Sequence, residues 1–585
     1  MKKTIICALN AKYIHSSLAI RYLQKYSELQ GLSNISLIEM SINDTIDNIV
    51  FAIYAQRPDI LAFSCYIWNI SYVHQIVSIY KKISPDTTII LGGPEVSYDA
   101  EEVLVQYPDL DYIIRGEGEL TFAQLLWSFQ LDKPVQNVQG ISYRLNHSIQ
   151  SNPDRPLIQN LDEIPFPYGS ELPELSDKVI YYESNRGCPF NCSYCLSSTI
   201  KGVRYFSMER VKQDLLLLLE HQVREVKFVD RSFNCNEDRA IEIMKFIIDN
   251  RNETRFHCEI EPRILSNTML DFLKTVPPDL FNFEIGIQST YPPALHAVRR
   301  KSNWEEIKPH IADTINHTPI HIHLDLIAGL PYESYESFKQ SFNDVFSLHA
   351  DVVQLGFLKL LKGAQIREEC IQYAYAFRDF PPYEVLSNRF LQFEELMRLH
   401  RIEELVDRYY NAGLVPHSTD YMVNKIYTGD AFAFFECFAA FWERKALFDT
   451  GHKREKYYTY LMNFVIAEHP LQQTAINDLL KYDYLVNNHK FTLPEGIYSC
   501  NPENLNELIY DLLKNKAFME EQLPEIYSKS HREIRKMVHL EYFENNPFQP
   551  SGDSIAMPIF FVYDLQKKMA IKTIPVNETF LTNHS

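Results

Sequence analysis

From residue 4 onward, short apolar runs alternate with stretches in which apolar residues recur every three or four positions. "TIICALN" reads as a buried strand. "SSLAIRYLQKYSEL" reads as a helix, with Leu18, Tyr22, Tyr26 and Leu29 on one face and Ser16 or Ser17 as its N-cap. The alternation continues through "ISLIEMSI", "TIDNIVFAIYAQ", "ILAFSCYIW", "YVHQIVSIYKKIS", "TIILGG", "AEEVLVQYP", "YIIRGEGE" and "TFAQLLWSF". Five strands alternating with five helices predict a doubly wound parallel sheet covered on both faces, over residues 1–135. Its ligand crevice is expected beyond the carboxyl ends of the strands.

Residues 136–178 read as a connector, in which "GISYRLNHSIQSNPD" is a hairpin and "LDEIPFPYG" a proline-punctuated linker. Over residues 179–365 the strands "VIYYESNRG", "VKFVDRSF", "RFHCEIEP", "FNFEIGIQS", "IHIHLDLIAGLP" and "VVQLGFLKL" alternate with helical patterns. Six such repeats predict a partial (β/α)6 barrel with its site at the carboxyl ends of the strands. Residues 366–585 change character, and long helical segments such as "VLSNRFLQFEELMRLHRIEELVDRYY" dominate, with one short, paired strand in "IAMPIFFVYDLQ". "FAFFECFAAF" reads as helix core in preference to the lining of a pocket. The predicted class is therefore α/β: a Rossmann-like domain, a partial barrel and a mostly α-helical C-terminal domain that shows no catalytic signature.

A length of 585 residues suits three or four domains, and 46% hydrophobic residues suit globular cores. No apolar run approaches the ~20 residues of a membrane span. "MKKTIICALNAKYIHSS" reads as a first strand and not as a signal peptide, so a cytoplasmic location is expected. A net charge of −19 disfavours wholesale binding to nucleic acid. Of ten cysteines, seven are scattered singly and are expected to be small buried hydrophobes without a disulfide framework.

The other three, Cys188, Cys192 and Cys195, stand as C-x3-C-x2-C in "RGCPFNCSYCLSS". Three thiolates can hold a [4Fe–4S] cluster and leave one iron without a protein ligand. Zinc competes, since it too can keep an open position, although a structural zinc takes a fourth Cys or His and none lies close in sequence. In the first domain, glycines stand after strand four (Gly92, Gly93) and strand five (Gly116, Gly118), and Ser64, Tyr66, Trp68 and Asn69 follow strand three. Glycine there admits close approach of a ligand, or else simply makes a tight turn. No G-x-G-x-x-G follows strand one, which disfavours a nicotinamide dinucleotide.

The cysteine spacing, on a loop after the first strand of a partial barrel, resembles the radical S-adenosylmethionine (SAM) superfamily. The resemblance implies that SAM chelates the open iron through its amino and carboxylate groups. It also implies SAM contacts from Tyr194, from Asp230 in "KFVDRSFN", from Glu261 in "RFHCEIEP", from Glu284, Gln288 and Ser289 in "FEIGIQS", and from Asp325 and Gly329 in "DLIAGLPYES". The first domain is similar to the cobalamin-binding domain of the cobalamin-dependent radical SAM class. Implied cobalamin contacts are Asn10, His15, Ser64, Tyr66, Trp68, Asn69, Gly92, Gly93, Glu95, Gly116, Glu117 and Gly118. The D-x-H-x-x-G motif that gives cobalt a histidine is absent, and His15 on its own reads as helix packing or capping. The long helical C-terminus matches a subgroup whose last domain has no assigned function.

The implied activity is C-methylation of an unactivated carbon, by way of a 5′-deoxyadenosyl radical and methylcobalamin. A radical rearrangement, cyclisation or oxidation without methyl transfer is the alternative. A tRNA-modifying enzyme would want more cysteines in the first domain than Cys7 and Cys65, and a non-catalytic cobalamin sensor would not need SAM-contacting strands. The implied partners are a small-molecule or peptide substrate and a ferredoxin- or flavodoxin-type reductant.

Overall fold

Strand β1 (Thr4–Asn10) is buried along its whole length, as an apolar run without alternation requires of a strand covered on both faces. Ile5, Cys7 and Leu9 enter one core and Ile6 and Ala8 the other. In this computed structural model, which describes residues 2–146, 148–489, 491–548 and 557–576, β1 pairs in parallel with β2 (Ile35–Ser41) and β3 (Ile60–Ser64). Strands β4 (Thr88–Gly92) and β5 (Tyr112–Ile114) continue outward from β3, also in parallel. The order 2-1-3-4-5 puts the topological switch point between β1 and β3.

The hairpin β6 (Ile141–Leu145) and β7 (Ser148–Ser151) forms as expected, but it extends this sheet to seven strands by antiparallel pairing with β5. Arg115 fastens it, donating to the carbonyls of Ile141 (3.0 Å) and Asn152 (2.6 Å). Helix Leu18–Leu29 buries Tyr22 and Tyr26 but leaves Leu29 61% exposed. Ser17 occupies the N-cap position without a side-chain capping bond, while Ser16 Oγ donates to Val179 O at 2.8 Å. That serine is used to join this loop to the second sheet.

The second sheet holds β8 (Val179–Tyr182), β11 (Glu225–Phe228), β12 (Arg255–Ile260), β13 (Phe281–Gln288), β14 (His321–Ala328) and β15 (Val352–Phe357), all parallel and in chain order. This is the expected six-stranded partial barrel. Between β8 and β11, β9 (Asn185–Cys188) and β10 (Gly202–Tyr205) make a separate antiparallel ribbon. In β13, Phe281, Phe283, Ile285 and Ile287 are buried and alternate with half-buried Asn282, Glu284, Gly286 and Gln288. A strand's period of two sends these sets to opposite faces, so one face of the sheet carries a polar array. A short antiparallel pair, β16 (Ala376–Phe377) and β17 (Val385–Ser387), follows the barrel.

The chain divides into two compact units, Met1–Leu396 and Met397–Ser585. The second is helical, as expected. Its aromatic helix Ala431–Arg444 buries Phe432, Phe434, Phe435, Phe438, Phe441 and Trp442, so the run is packing core. The strand expected near the end is β19 (Met557–Asp564), the centre of an antiparallel sheet with β18 (Val538–Phe543) and β20 (Met569–Pro575). The first two residues of that expected segment, Ile555 and Ala556, lie outside the described residues. Among the described residues no helix is long and apolar enough to cross a membrane. The scattered cysteines behave unevenly: Cys7, Cys65 and Cys258 are buried, whereas Cys437 is exposed.

Candidate functional site

The ribbon β9–β10 positions the first cysteine. Cys188 pairs with Gly202, and Gly187 crosses the partner strand so closely that a Cβ would lie 2.2 Å from Gly202 O. Gly187 also holds φ +102°, which a side chain would strain. Beyond it the loop is anchored from two sides: Ser193 N donates to Val298 O (3.0 Å), and Ile366 N to Ser193 O (2.9 Å). Arg263 stacks on Phe190 at 4.4 Å.

Cys188, Cys192 and Cys195 line one cavity of about 220 Å³, walled by residues of β12, β13 and β14. Among the described residues, no three Cys, His, Asp or Glu side chains converge as ligands of a single ion. A cavity shared by three thiols suits a cluster that takes one thiolate per iron. Burial pushes the Cys188 thiol up, partly offset by hydrogen bonds from Phe190 N and Ser232 Oγ.

The wall opposite the thiols combines two carboxyl groups of opposite character. Glu284 accepts from His257 Nε2 (2.8 Å) and Lys227 Nζ (3.0 Å). The His257 bond above all holds it down to about 2, so it is ionised at neutral pH. On the next strand Asp325 pairs in register with Gly286. Burial first, then the charges of Glu284 and Glu259, push Asp325 up to about 8, and its Oδ1 is buried without a partner. It is largely protonated at neutral pH, with a polar atom left for a ligand. Gly286 makes room for Gln288, whose Nε2 a Cβ there would meet at 2.2 Å. Gln288 itself has φ +73°, at a register shift in β13. Glu261 is bound by Arg263 (2.7 Å) and Arg300 (3.4 Å), and Arg300 also donates to Gly286 O. Tyr194 completes the lining, with burial pushing its phenol up.

Thus Tyr194, Glu261, Glu284, Gln288 and Asp325 come together with the thiols, and Asp230, Ser289 and Gly329 do not line that cavity. Asp230 is wholly buried and accepts from Ser184 N (2.7 Å), Ser184 Oγ and Asn185 Nδ2 (2.6 Å). It braces the turn that leads into β9, and burial raises it to about 7. Ser289 Oγ donates to buried Glu333, and Gly329 O accepts from Tyr375 OH and Asn388 Nδ2, both at 2.9 Å. The sequence reading missed Arg231, Ser232, Glu259 and Arg300, which also line the cavity. Glu259 was within reach, because it stands in "RFHCEIEP" two residues before Glu261, the spacing at which extended chain returns to one face. No local pattern marks Arg300.

A cluster of buried ion pairs joins the turn after β5 to the cysteine-bearing ribbon. Arg186, on β9, is bound by Glu119 (2.6 Å), Glu183 (2.7 Å) and Glu117 (3.3 Å), all of them largely buried. Glu117 also binds Arg204 of β10 (2.7 Å); burial works to raise its carboxyl, but the two arginines more than offset this and hold it low. At the switch point, Asn69 Nδ2 donates to Leu9 O (3.1 Å) and Ser64 O (2.9 Å), and Trp68 Nε1 to Leu9 O (3.0 Å). Tyr66 and Trp68 stack at 4.5 Å and 4°, with Trp68 41% exposed. Ser64 Oγ is buried without a partner, and Gly116 has open space where a side chain would stand. A flat ring plate, an orphaned hydroxyl and an open glycine fit a large planar ligand at these strand ends.

Other expected contacts serve the protein itself. Asn10 Nδ2 donates to His15 O (2.9 Å), His15 Nδ1 meets Tyr181 OH (2.9 Å), and Glu95 accepts from Tyr383 OH (2.8 Å). Gly93 closes on Cys65, whose carbonyl a Cβ would meet at 2.5 Å, and Gly118 packs on Leu23; Gly92 ends β4 beside Ile114.

Comparison with known proteins adds three matches along the chain. Residues 5–126 match the B12 binding domain, 182–345 the Radical SAM superfamily, and 371–554 a protein family of unknown function, DUF4080. An uncharacterised methyltransferase of Pyrococcus horikoshii is 35% identical over 207 residues, covering 34% of this chain and 45% of the relative. The cobalamin-dependent radical SAM methyltransferase TokK of Streptomyces tokunonensis is 28% identical over 327 residues, 52% of this chain and 47% of its own. The chain thus spans about half the length of these relatives. The solved structure of the cobalamin-dependent SAM radical enzyme OxsB, with aqua-cobalamin and SAM bound, shares the fold at a TM-score of 0.59. That match covers 85% of this chain and 82% of the other at 15% identity.

Two outcomes follow from the geometry. Gly187→Ala is expected to uncouple β9 from β10, so the anaerobically reconstituted variant should bind well under half the iron of the parent, read by iron assay, with its far-ultraviolet circular dichroism unchanged. Arg186→Met leaves buried Glu119 and Glu183 without their guanidinium and Glu117 with Arg204 alone, and is expected to cost about 3–5 kcal/mol, read as a lower midpoint in chemical denaturation of the full chain.

Proposed function

Since the chain belongs to the cobalamin-dependent radical SAM superfamily, we propose that it is a methyltransferase that methylates an unactivated carbon. The observation that carries the reading is the single cavity shared by the three loop thiols and the polar faces of β12, β13 and β14. Cys188, Cys192 and Cys195 hold a [4Fe–4S] cluster whose fourth iron is left for SAM. Tyr194, Glu261, Glu284, Gln288 and Asp325 hold SAM, while Asp230, Ser289 and Gly329 brace the strands that carry them. Ser64, Tyr66, Trp68 and Gly116 hold cobalamin, and Asn69 braces the turn that carries the first three. Bound there, these groups supply a 5′-deoxyadenosyl radical and a methyl carrier.

The chain's own part is positioning and charge. Ionised Glu284 offers an acceptor and protonated Asp325 a donor on adjacent strands, so a zwitterionic ligand is gripped at both signs. Arg300, held by Glu261 and Gly286 O, presents a fixed cation to the same cavity. The Arg186 junction keeps the strand-end turn that bears Gly116 against the cysteine ribbon. Residues 1–135 with the hairpin then form the cobalamin domain, 179–365 the SAM domain, and 366–585 a helical domain without assigned chemistry. The enzyme works in the cytoplasm on a small-molecule or peptide substrate, and a low-potential carrier supplies its electrons.

Anaerobic incubation with methyl-deuterated SAM and a reductant tests the reading by mass spectrometry. The expected result is 5′-deoxyadenosine together with deuterated methyl on hydroxocobalamin-loaded protein. 5′-Deoxyadenosine without any methyl label would move the chain to a rearranging or oxidising enzyme.

A further inference from the structure

Behind the cysteine loop lies a second and larger hollow, a groove of about 790 Å³ that shares Arg300 with the thiol cavity. Its lining includes Asn191, the residue before Cys192. The segment 292–302 forms one wall and is fixed to the loop, through Ser193 N to Val298 O (3.0 Å) and through Arg263, which stacks on Phe190 and donates to Lys301 O (2.8 Å). The rim is exposed and carries the cations Arg299 and Lys301, with His296 between them and Pro293 in the chain, and Tyr332 is 48% exposed beside them. Arg299 is shared with Gln365 and Glu369, whereas Lys301 is tied through its carbonyl and leaves its ammonium side chain in solvent.

On a chain of net charge −19, a basic and aromatic rim on a groove that is also lined by the residue before a cluster ligand needs an explanation. We propose that this groove is the docking surface for an acidic one-electron carrier protein, of the reduced flavodoxin type. The inference rests on the cysteine triad's holding a cluster. One electron passes from the carrier's anionic flavin hydroquinone, which becomes the neutral semiquinone with no proton released, to the oxidised cluster, which is reduced by one unit. Such interfaces are small and transient, and charge sets their encounter rate more than their affinity. A small anionic substrate is the competing occupant. The exposed rim and the absence of thiols from the lining favour a donor that approaches the loop without entering the barrel.

The test is stopped-flow bleaching of the visible cluster band in reconstituted full-length protein, with flavodoxin hydroquinone or with dithionite as reductant. Lys301→Glu with His296→Glu is expected to slow the flavodoxin reaction about tenfold or more, with dithionite bleaching and iron content unchanged. Lys301→Gln should fall between. A flavodoxin rate indifferent to both variants overturns the docking surface and leaves the cluster assignment intact. Dithionite-driven 5′-deoxyadenosine formation that falls in step with the flavodoxin rate gives the groove to the substrate and also overturns it. A parent protein with no cluster band overturns this inference and the reading beneath it together.

Discussion

Arg186 is the residue on which the site's arrangement depends. One buried guanidinium on the cysteine-bearing ribbon is clasped by Glu117 and Glu119 from the turn after β5 and by Glu183 from the end of β8. Burying four charges is expensive, and a hydrophobic replacement of equal volume would often be as stable. What the cluster of charges provides is direction. A carboxylate–guanidinium junction has fixed geometry, whereas an apolar patch tolerates sliding. Both sheets present functional loops at their carboxyl ends, and this junction brings two of those ends together.

The barrel wall repeats the same economy of charge on a smaller scale. Alternation along β12, β13 and β14 gives one apolar face and one polar face. Within the polar face, the hydrogen bonds of His257 and Lys227 keep Glu284 ionised against its burial, whereas burial leaves Asp325 protonated with an unsatisfied oxygen. Two like groups with pKa values driven apart by their surroundings mark a functional site more firmly than either alone. Asp230 has a similarly raised pKa, but its oxygens are already bonded by Ser184 and Asn185. Satisfaction of its hydrogen bonds, and not the shift, identifies it as a brace.

Much of this was legible in the sequence because it is periodic or closely spaced. Continuous apolar runs and helical repeats gave every strand of both parallel sheets, and the three cysteines gave the loop. What escaped reading depends on partners far apart in the chain. Nothing local to "GISYRL" says that it pairs with β5; Arg115 and the edge of that strand decide it. Gly93 reads as a ligand glycine but answers to Cys65, and Ser16 reads as a cap but answers to Val179. Arg300 reaches the site only because the segment after β13 folds back against the cysteine loop. In the second unit, helical spacing predicted the buried aromatic helix, whereas the partner strands of β19 carried no distinct signal.

The central claim is that three thiolates hold a four-iron cluster with one iron reserved for SAM. Mössbauer spectroscopy of protein reconstituted anaerobically with enriched iron tests it most directly, before and after addition of SAM. The account predicts a cubane spectrum in which one iron site of about four changes its parameters when SAM is added. A spectrum that SAM leaves untouched, or a protein that takes up zinc and no iron, would contradict it.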